Sequence, residues 1–587
     1  MSVRDPRFYH FDGFRLDAEG RRLLRDDKEV PLAPKAFDAL LELVRLKGRV
    51  LERDELMRRV WPDSFVEEGN IKVTIFNLRR ALEDDPSEPR YIQTVPRHGY
   101  RFAAEVVEVD DRAKPDHGRQ LEDRGDRKVR SMAVLPFKVI GGTEEEYLGL
   151  GLADALIVRL SGLKEIVIRP TSAVRKYADV GESALNIGRA LGVEAVLEGH
   201  IYRAADRVRL TTQLISVFDE SPLWADKFDE RFTDIFDVED SISEQVAQAL
   251  TVKLTGNERK RLTRHYTENI EAYQLYLRGR YHWAKRVSDS TRLAAEDFRA
   301  AIDLDPNYTL AYTGLADCYA QLAWLTLMSP NEALPVAKAA AQRALELDPL
   351  LAEAYASLAW IQLIYDLDYV ASEEAFRHSL ELNPNYSVAR MWFGVFQLAT
   401  GQFAAASEEL NRALMLDPLS PIISAVAGWP FYFMREYDRG TELLRRAIEL
   451  EPNSLPAHYL LGTTYLQSGS HDKAISEMQR AYELDQSGFT TLGLAQAYAA
   501  MGEVDQANRL LSELSLSSAE KHKYVSPYDE AGVYLRLGDY DRTISKLEEA
   551  LTDCSTWRIF LPVDPKFDVL RDDKRFRNLL LRIGNRK

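Results

Sequence analysis

The sequence predicts a multidomain α+β protein: a small mixed domain in front, an α/β domain in the centre and an α-solenoid of helix pairs behind. Three observations carry this expectation. Between Val66 and Phe102 a helix-period stripe gives way to a hairpin pattern, from Ser131 to about Leu254 strand-like and helix-like runs alternate, and from Glu271 onward the chain repeats itself. With 587 residues there is room for three or four domains of ordinary size, so no single function is expected to occupy the whole length. Hydrophobic residues make up 45% and charged residues 29%, the balance of a globular chain.

Residues 8–32 alternate short apolar pairs (Phe8-Tyr9, Phe14/Leu16, Leu23-Leu24, Val30/Leu32) with turn signals, which reads as a small antiparallel sheet. Pro34 opens a helix whose buried side is Phe37, Leu40, Leu41 and Val44, and a second helix, Arg53 to Val60, stops at Trp61-Pro62. The next segment places Ile71, Ile75, Leu78 and Leu82 on one stripe. Asn70, Val73, Thr74, Asn77 and Arg80 lie away from it and form a slim polar surface. Such a helix suits a major groove about 12 Å wide. Tyr91, Ile92, Thr94 and Val95 then favour strand, Pro96-Arg97-His98-Gly99 supplies a turn, and Tyr100 to Phe102 resumes the strand. The basic tip is a wing, with Arg97 set to reach a phosphate or the minor groove.

From about Phe8 to Phe102 the chain resembles the OmpR/PhoB-type winged-helix domain, and its pairing with repeats is similar to soluble relatives of the CadC/ToxR regulators. The matching pieces are PLAPKAFDALLELV (31–44), GRVLERDELMRRVWPD (48–63), the set Ile75, Asn77, Leu78, Arg79 and Leu82, and the closing TVPRHGYRF. The resemblance implies that Asn70, Val73, Thr74, Asn77 and Arg79 meet DNA, together with Arg97. Thr74 and Asn77 stand where the family often has Arg or His, so no base preference is carried over. Residues 1–105 hold 20 basic and 20 acidic side chains, so the chain's net charge of −16 lies downstream. A neutral domain of this kind is expected to bind weakly as one copy and to lose affinity steeply with salt.

Val106 to Arg130 is nearly half charged with almost nothing to bury, and reads as a flexible linker. Residues 131–255 then give SMAVLPF as strand, LGLGLADALIVRLSGL as helix, EIVIRP as strand, ALNIGRALG as helix and a strand pair turning at Ala205-Asp206. A last strand near Pro222–Phe228 and a helix from Ile235 complete an α/β domain. Its VLPF strand, following helix and VLEGHIY strand resemble the FlgO-like or TolB N-terminal-like domain. Gly149 and Gly151 come too late after the strand, and without a third glycine, to cradle a phosphate. His200 has no second ligand at metal-binding spacing. Cys318 and Cys554 are each read as buried small hydrophobes in helices.

Beyond residue 271, RAAIDLDPN, QRALELDPL, HSLELNPN, RALMLDPL, RAIELEPN and RAYELDQS end successive units. Pro306, Pro349, Pro384, Pro418, Pro452 and Gln486 are spaced 43, 35, 34, 34 and 34, the first step holding an insertion around Leu325–Leu334. With upstream pairs such as Ala316/Tyr319 and Gly462/Tyr465, this is similar to the tetratricopeptide repeat over 271–555, seven or eight helix pairs. The resemblance places Met391, Val395, Leu398, Trp429, Tyr432 and Tyr459 on the inner groove. They either receive a partner or pack between neighbouring repeats, and the cationic set that clamps a peptide carboxylate is missing from them. Residues 556–587 are expected to cap the last repeat.

These readings converge on a sequence-specific transcriptional regulator. Its expected partners are duplex DNA, a protein held in the repeat groove and RNA polymerase, with a homodimer on DNA as the route to useful affinity. The alternative is a repeat scaffold or adaptor whose winged helix contacts protein rather than DNA. No nucleophile–base pair, metal cluster or phosphate loop stands in the sequence, so no enzymatic activity, cofactor or metal is expected. No window of about eighteen apolar residues and no secretory signal occur, and the N-terminal pattern begins without a receiver domain, so a bacterial, cytoplasmic protein free of receiver phosphorylation is expected.

Overall fold

The computed structural model describes residues 8–109 without 12–13, 18–21, 26–27, 31, 33, 46–48, 61–70, 72–73, 76–77, 80, 83, 85–88, 96–98 and 105, and residues 129–584 without 141–145, 164, 179–181, 205, 251–261, 263, 286–287 and 522–523. They form two compact units, Met1–Asp126 and Arg127–Lys587.

In the first unit the alternating front segment makes four antiparallel strands, β1 (Phe8–Phe11), β2 (Phe14–Asp17), β3 (Arg22–Arg25) and β4 (Lys28–Val30). The helices Pro34–Arg45 and Arg53–Val60 follow, the first burying Phe37, Leu40, Leu41 and Val44 as its periodicity requires. A second sheet joins β5 (Leu51–Glu52), β6 (Ile92–Val95) and β7 (Gly99–Phe102) in the order β5-β7-β6. A final strand, β8 (Val107–Val109), pairs with β1, so the front sheet reads β4-β3-β2-β1-β8. This corrects the expected linker boundary. Ladder hydrogen bonds to Phe8–His10 offset the ordering cost of residues 107–109, whereas the rest of the charged stretch, 110–128, lies outside the described residues.

The second unit opens on a six-stranded sheet. β9 (Ser131–Val134) and β10 (Lys138–Ile140) run in succession along one edge of β12 (Ala195–Ala204), both parallel to it, and β11 (Val167–Ile168) lies outside β9. The expected meander β12, β13 (Arg207–Ser216) and β14 (Pro222–Arg231) extends the other side antiparallel. The glycines of the rejected phosphate loop lie inside the helix Glu146–Leu160. A Cβ on Gly151 would come within 2.9 Å of Leu277, so the missing side chain lets the first repeat helix, Ile270–Ala284, pack close. Arg280 of that helix forks onto Asp154 at 2.6 and 2.9 Å. Read in sequence as separate domains, 131–255 and 271–555 share one apolar core that runs from Met132 to Ile583.

Behind it, eight helix pairs stand among the described residues, from Ile270–Ala284 with Ser288–Leu304 to Pro527–Arg536 with Tyr540–Thr552. The repeat-ending motif works through the residue before its proline. Asp348, Asn383, Asp417 and Glu451 are all forced from helical backbone to φ between −134° and −143°. Asp485 turns in the same way before Gln486. Six residues past the proline, a first-helix side chain donates back to the proline carbonyl: Tyr312 to Pro306 at 3.2 Å, Arg390 to Pro384 at 2.7 Å and His458 to Pro452 at 3.0 Å. Cys318 is buried in its helix, but Cys554 lies beyond the helix Tyr540–Thr552, half-buried with φ +59°, which corrects the helical reading.

Candidate nucleic-acid interface

The third helix of the first unit stands on its predicted stripe. Ile71, Ile75, Leu78 and Leu82 are helical and at most 2% exposed, in one core with Leu40, Leu56 and Phe102. Two side chains at the end of this helix hold the β6–β7 hairpin. Arg79 donates from Nη2 to the Ile92 carbonyl at 2.7 Å and to Thr94 Oγ1 at 2.9 Å. Asp84, buried, accepts the backbone N–H groups of Arg90, Tyr91 and Ile92 at 2.6, 3.1 and 2.8 Å. Opposite charges thus grip the free edge of β6 and set the hairpin against the helix. The hairpin also crosses close over β5: a Cβ on Gly99 would lie 2.0 Å from the Leu51 carbonyl oxygen, so that turn position admits only glycine. On the other face of the hairpin Arg101 is exposed, and its Nε donates to the paired Gln93 at 2.6 Å.

In the second unit the inner face of the repeats is filled by the chain itself. The segment 555–573 runs along the first helices of the pairs. Trp557 sits 4.9 Å from Trp324 and 5.3 Å from Trp429 between ring centroids, and Phe560 lies 4.9 Å from Trp429. Arg558 is fully buried and donates to the carbonyls of Ile364 and Tyr365 at 3.1 and 2.8 Å. Asp564 accepts from Tyr432 and Tyr528, each at 2.8 Å, and burial beside this carboxylate pushes both phenols well above their ordinary range.

Comparison with known proteins matches residues 27–102 to the family described as "Transcriptional regulatory protein, C terminal". Residues 127–245 match "HilA/YgeH-like transcriptional regulator, second domain", and residues 366–428 and 427–489 match tetratricopeptide repeats. The chain has the domains of a DNA-binding transcriptional regulator. It is similar to the transcriptional regulator HilA of Salmonella typhi, 24% identical over 433 residues, 72% of this chain and 73% of that one. The transcriptional regulatory protein KdpE of Mycobacterium tuberculosis is 38% identical over 94 residues, 16% of this chain and 42% of that one. Among solved structures, the DNA-binding domain of E. coli CadC is 29% identical, covering 18% of this chain and all of that one at a TM-score of 0.17.

The winged helix brings the described part of the candidate set together in part. Thr74 is helical and half-buried, while Asn70, Val73, Asn77, Arg80 and Arg97 lie outside the described residues. Arg79, expected at the DNA, directs its guanidinium onto its own hairpin, because the adjoining strand offers it a carbonyl and a hydroxyl. Asp84 is missing from the sequence-based set, although a carboxylate just past the last stripe residue and before an extended run is a ready acceptor for backbone N–H groups. In the repeats, Met391, Val395, Leu398, Trp429, Tyr432 and Tyr459 are between 0 and 8% exposed. For the three aromatic positions neither expected reading is the whole account: Trp429, Tyr432 and Tyr459 meet Trp557, Phe560 and Asp564 of the segment 555–573, and Lys574–Gly584 follows as the terminal cap, burying Phe576, Leu579 and Ile583.

Proposed function

We propose that this regulator binds duplex DNA sequence-specifically by inserting the third helix, with the wing as a backbone contact, and that its partners approach the repeats from outside the filled groove. The observation that carries the DNA part is the Arg79/Asp84 grip, which holds helix and wing as one rigid reader. Burial of the six groove positions supports the second part. No helix among the described residues is long and apolar enough to cross a membrane. Action in the cytoplasm, contact with RNA polymerase, pairing of two copies on DNA and the absence of catalysis belong to the same reading. The test is titration of labelled promoter duplexes with the full chain. Arg97→Ala is expected to weaken binding about equally on all sequences, and Asn77→Ala to change the preference among them. Equal retention of Asn77→Ala on specific and scrambled duplexes would count against it.

The adaptor reading, in which the winged helix contacts protein, draws support from the balance of 20 basic and 20 acidic residues over 1–105. Salt separates the two: binding to several phosphates falls steeply between low and moderate ionic strength.

A further inference from the structure

The central sheet buries one face under the helices Glu146–Leu160 and Ile235–Ala249, and strand alternation turns every second residue of β12, β13 and β14 the other way. The helix Ala184–Leu191 covers only one end of that second face, over Val196 and Val217. The remainder is open, and the register of the strands arranges its charges. Lys138, His200, Thr211 and Lys227 are paired neighbours across β10, β12, β13 and β14, and all four are exposed. The next row places Tyr202 and Arg209 beside Asp229, and the last pairs Arg207 with Arg231. The face therefore carries five cations, Lys138, Arg207, Arg209, Lys227 and Arg231, against two carboxylates, Glu198 and Asp229, in a chain of net charge −16. Asp229 is shared by Arg207 and Arg209 at 2.9 and 2.5 Å, and Glu198 accepts from Gln213. Lys138, Lys227 and Arg231 make no ion pair among the described residues. The other acids of β14, Asp226 and Glu230, oppose Thr212 and Val208 and so belong to the opposite side.

We propose that this face is a second, sequence-independent phosphate contact for duplex DNA. The inference rests on the DNA-binding reading of the front unit and adds a surface to it. Two features favour DNA over a protein surface. Apolar exposure is slight, with Ile140 and Tyr202 the large apolar side chains exposed on these rows, so there is no patch to bury against a protein. The surplus of cations on this face, in a chain of net charge −16, also suits a polyanion. Three strand spacings separate Lys138 from Lys227, about 14 Å, a length over which a duplex carries about eight phosphate charges.

The test compares the full chain with K138Q/K227Q/R231Q by fluorescence anisotropy on several labelled duplexes over a range of salt. The triple variant is expected to flatten the slope of log K against log salt by about 2 to 3, near 0.9 for each phosphate no longer neutralised, with the order of preference among duplexes unchanged. Glu198→Lys, which adds a cation to the same face, is expected to steepen it. An unchanged slope in both variants, with the wild type binding normally, overturns the proposal while leaving the DNA reading intact. So does a triple variant that keeps its slope yet no longer regulates its promoter in cells, which would assign the face to a protein. Failure of the wild type to bind any duplex would remove the DNA reading itself and this inference with it.

Discussion

At position 84 one carboxylate accepts three successive backbone N–H groups, and Asp84→Ala would leave them without this partner, the two of Tyr91 and Ile92 buried. The expected cost is about 2–4 kcal/mol, larger than a surface change because unmet donors inside a core carry their full desolvation penalty. Calorimetry should show the first unit melting earlier, with duplex affinity falling further than in Arg97→Ala; an unmoved transition would refute the grip. His458 makes a different kind of prediction. Nδ1 lies 2.7 Å from Glu477 Oε2 and Nε2 lies 3.0 Å from the Pro452 carbonyl, so both ring nitrogens face acceptors, an arrangement that favours the imidazolium. Burial pulls its pKa down, but the bonds to Glu477 and Pro452 outweigh it and the net direction is up. A raised folded pKa contributes stability that is fully present below the unfolded value near 6.5 and is lost as pH rises through the folded one. The urea midpoint of the wild type should therefore fall toward that of His458→Gln as pH goes from about 6 to 8.5. His458→Arg should remove this dependence, since Arg390 already fills the corresponding place two repeats earlier.

At the scale of elements, the segment 555–573 is the least expected part of the fold. Trp557 and Phe560 join rings contributed by Trp324, Trp429, Tyr459 and Phe489, which come from four different helices of the repeat array. Replacing Trp557 by Ala should cost about 3–5 kcal/mol through weaker packing and the cavity left behind. Because Cys554 stands at the entry to this segment, its thiol should react faster with a maleimide in the variant; equal rates would mean that the segment does not depend on the ring. The apolar character of Trp429 and Tyr459 was legible in sequence, but it suits an empty groove, packing between repeats and a groove filled from within. The covering residue lies more than a hundred positions from Trp429, and no periodicity reports a contact of that range. Helix and strand boundaries set by local rules were legible: the stripe Ile71, Ile75, Leu78 and Leu82, the turn before each proline and the β12–β13–β14 meander all stand as their spacing implies.

At the scale of the whole molecule, the second unit joins the α/β domain to the solenoid through a seam of buried charge. Arg169 donates to the Met415 and Leu416 carbonyls at 2.9 and 2.6 Å, and Ser172 donates to Asp417 at 2.6 Å, where burial pushes the carboxyl up to about 6. Such a seam leaves the exposed sheet face and the outer repeat helices as surfaces for partners. This is why the salt experiment on Lys138, Lys227 and Arg231 belongs to the intact chain: their effect on DNA would be felt only while the sheet is carried with the winged helix.

By itself the sequence determined the three kinds of domain, the apolar stripe of the third helix, the hairpin after it and the repeat period, because each follows from near-neighbour sterics and from apolar spacing along one element. The tertiary structure alone decided that Arg79 and Asp84 hold the wing, that the groove is filled by 555–573, and that the middle domain and solenoid share a core. Those outcomes turn on which buried donors, acceptors and rings find one another across long stretches of chain, and that is a property of the packed state.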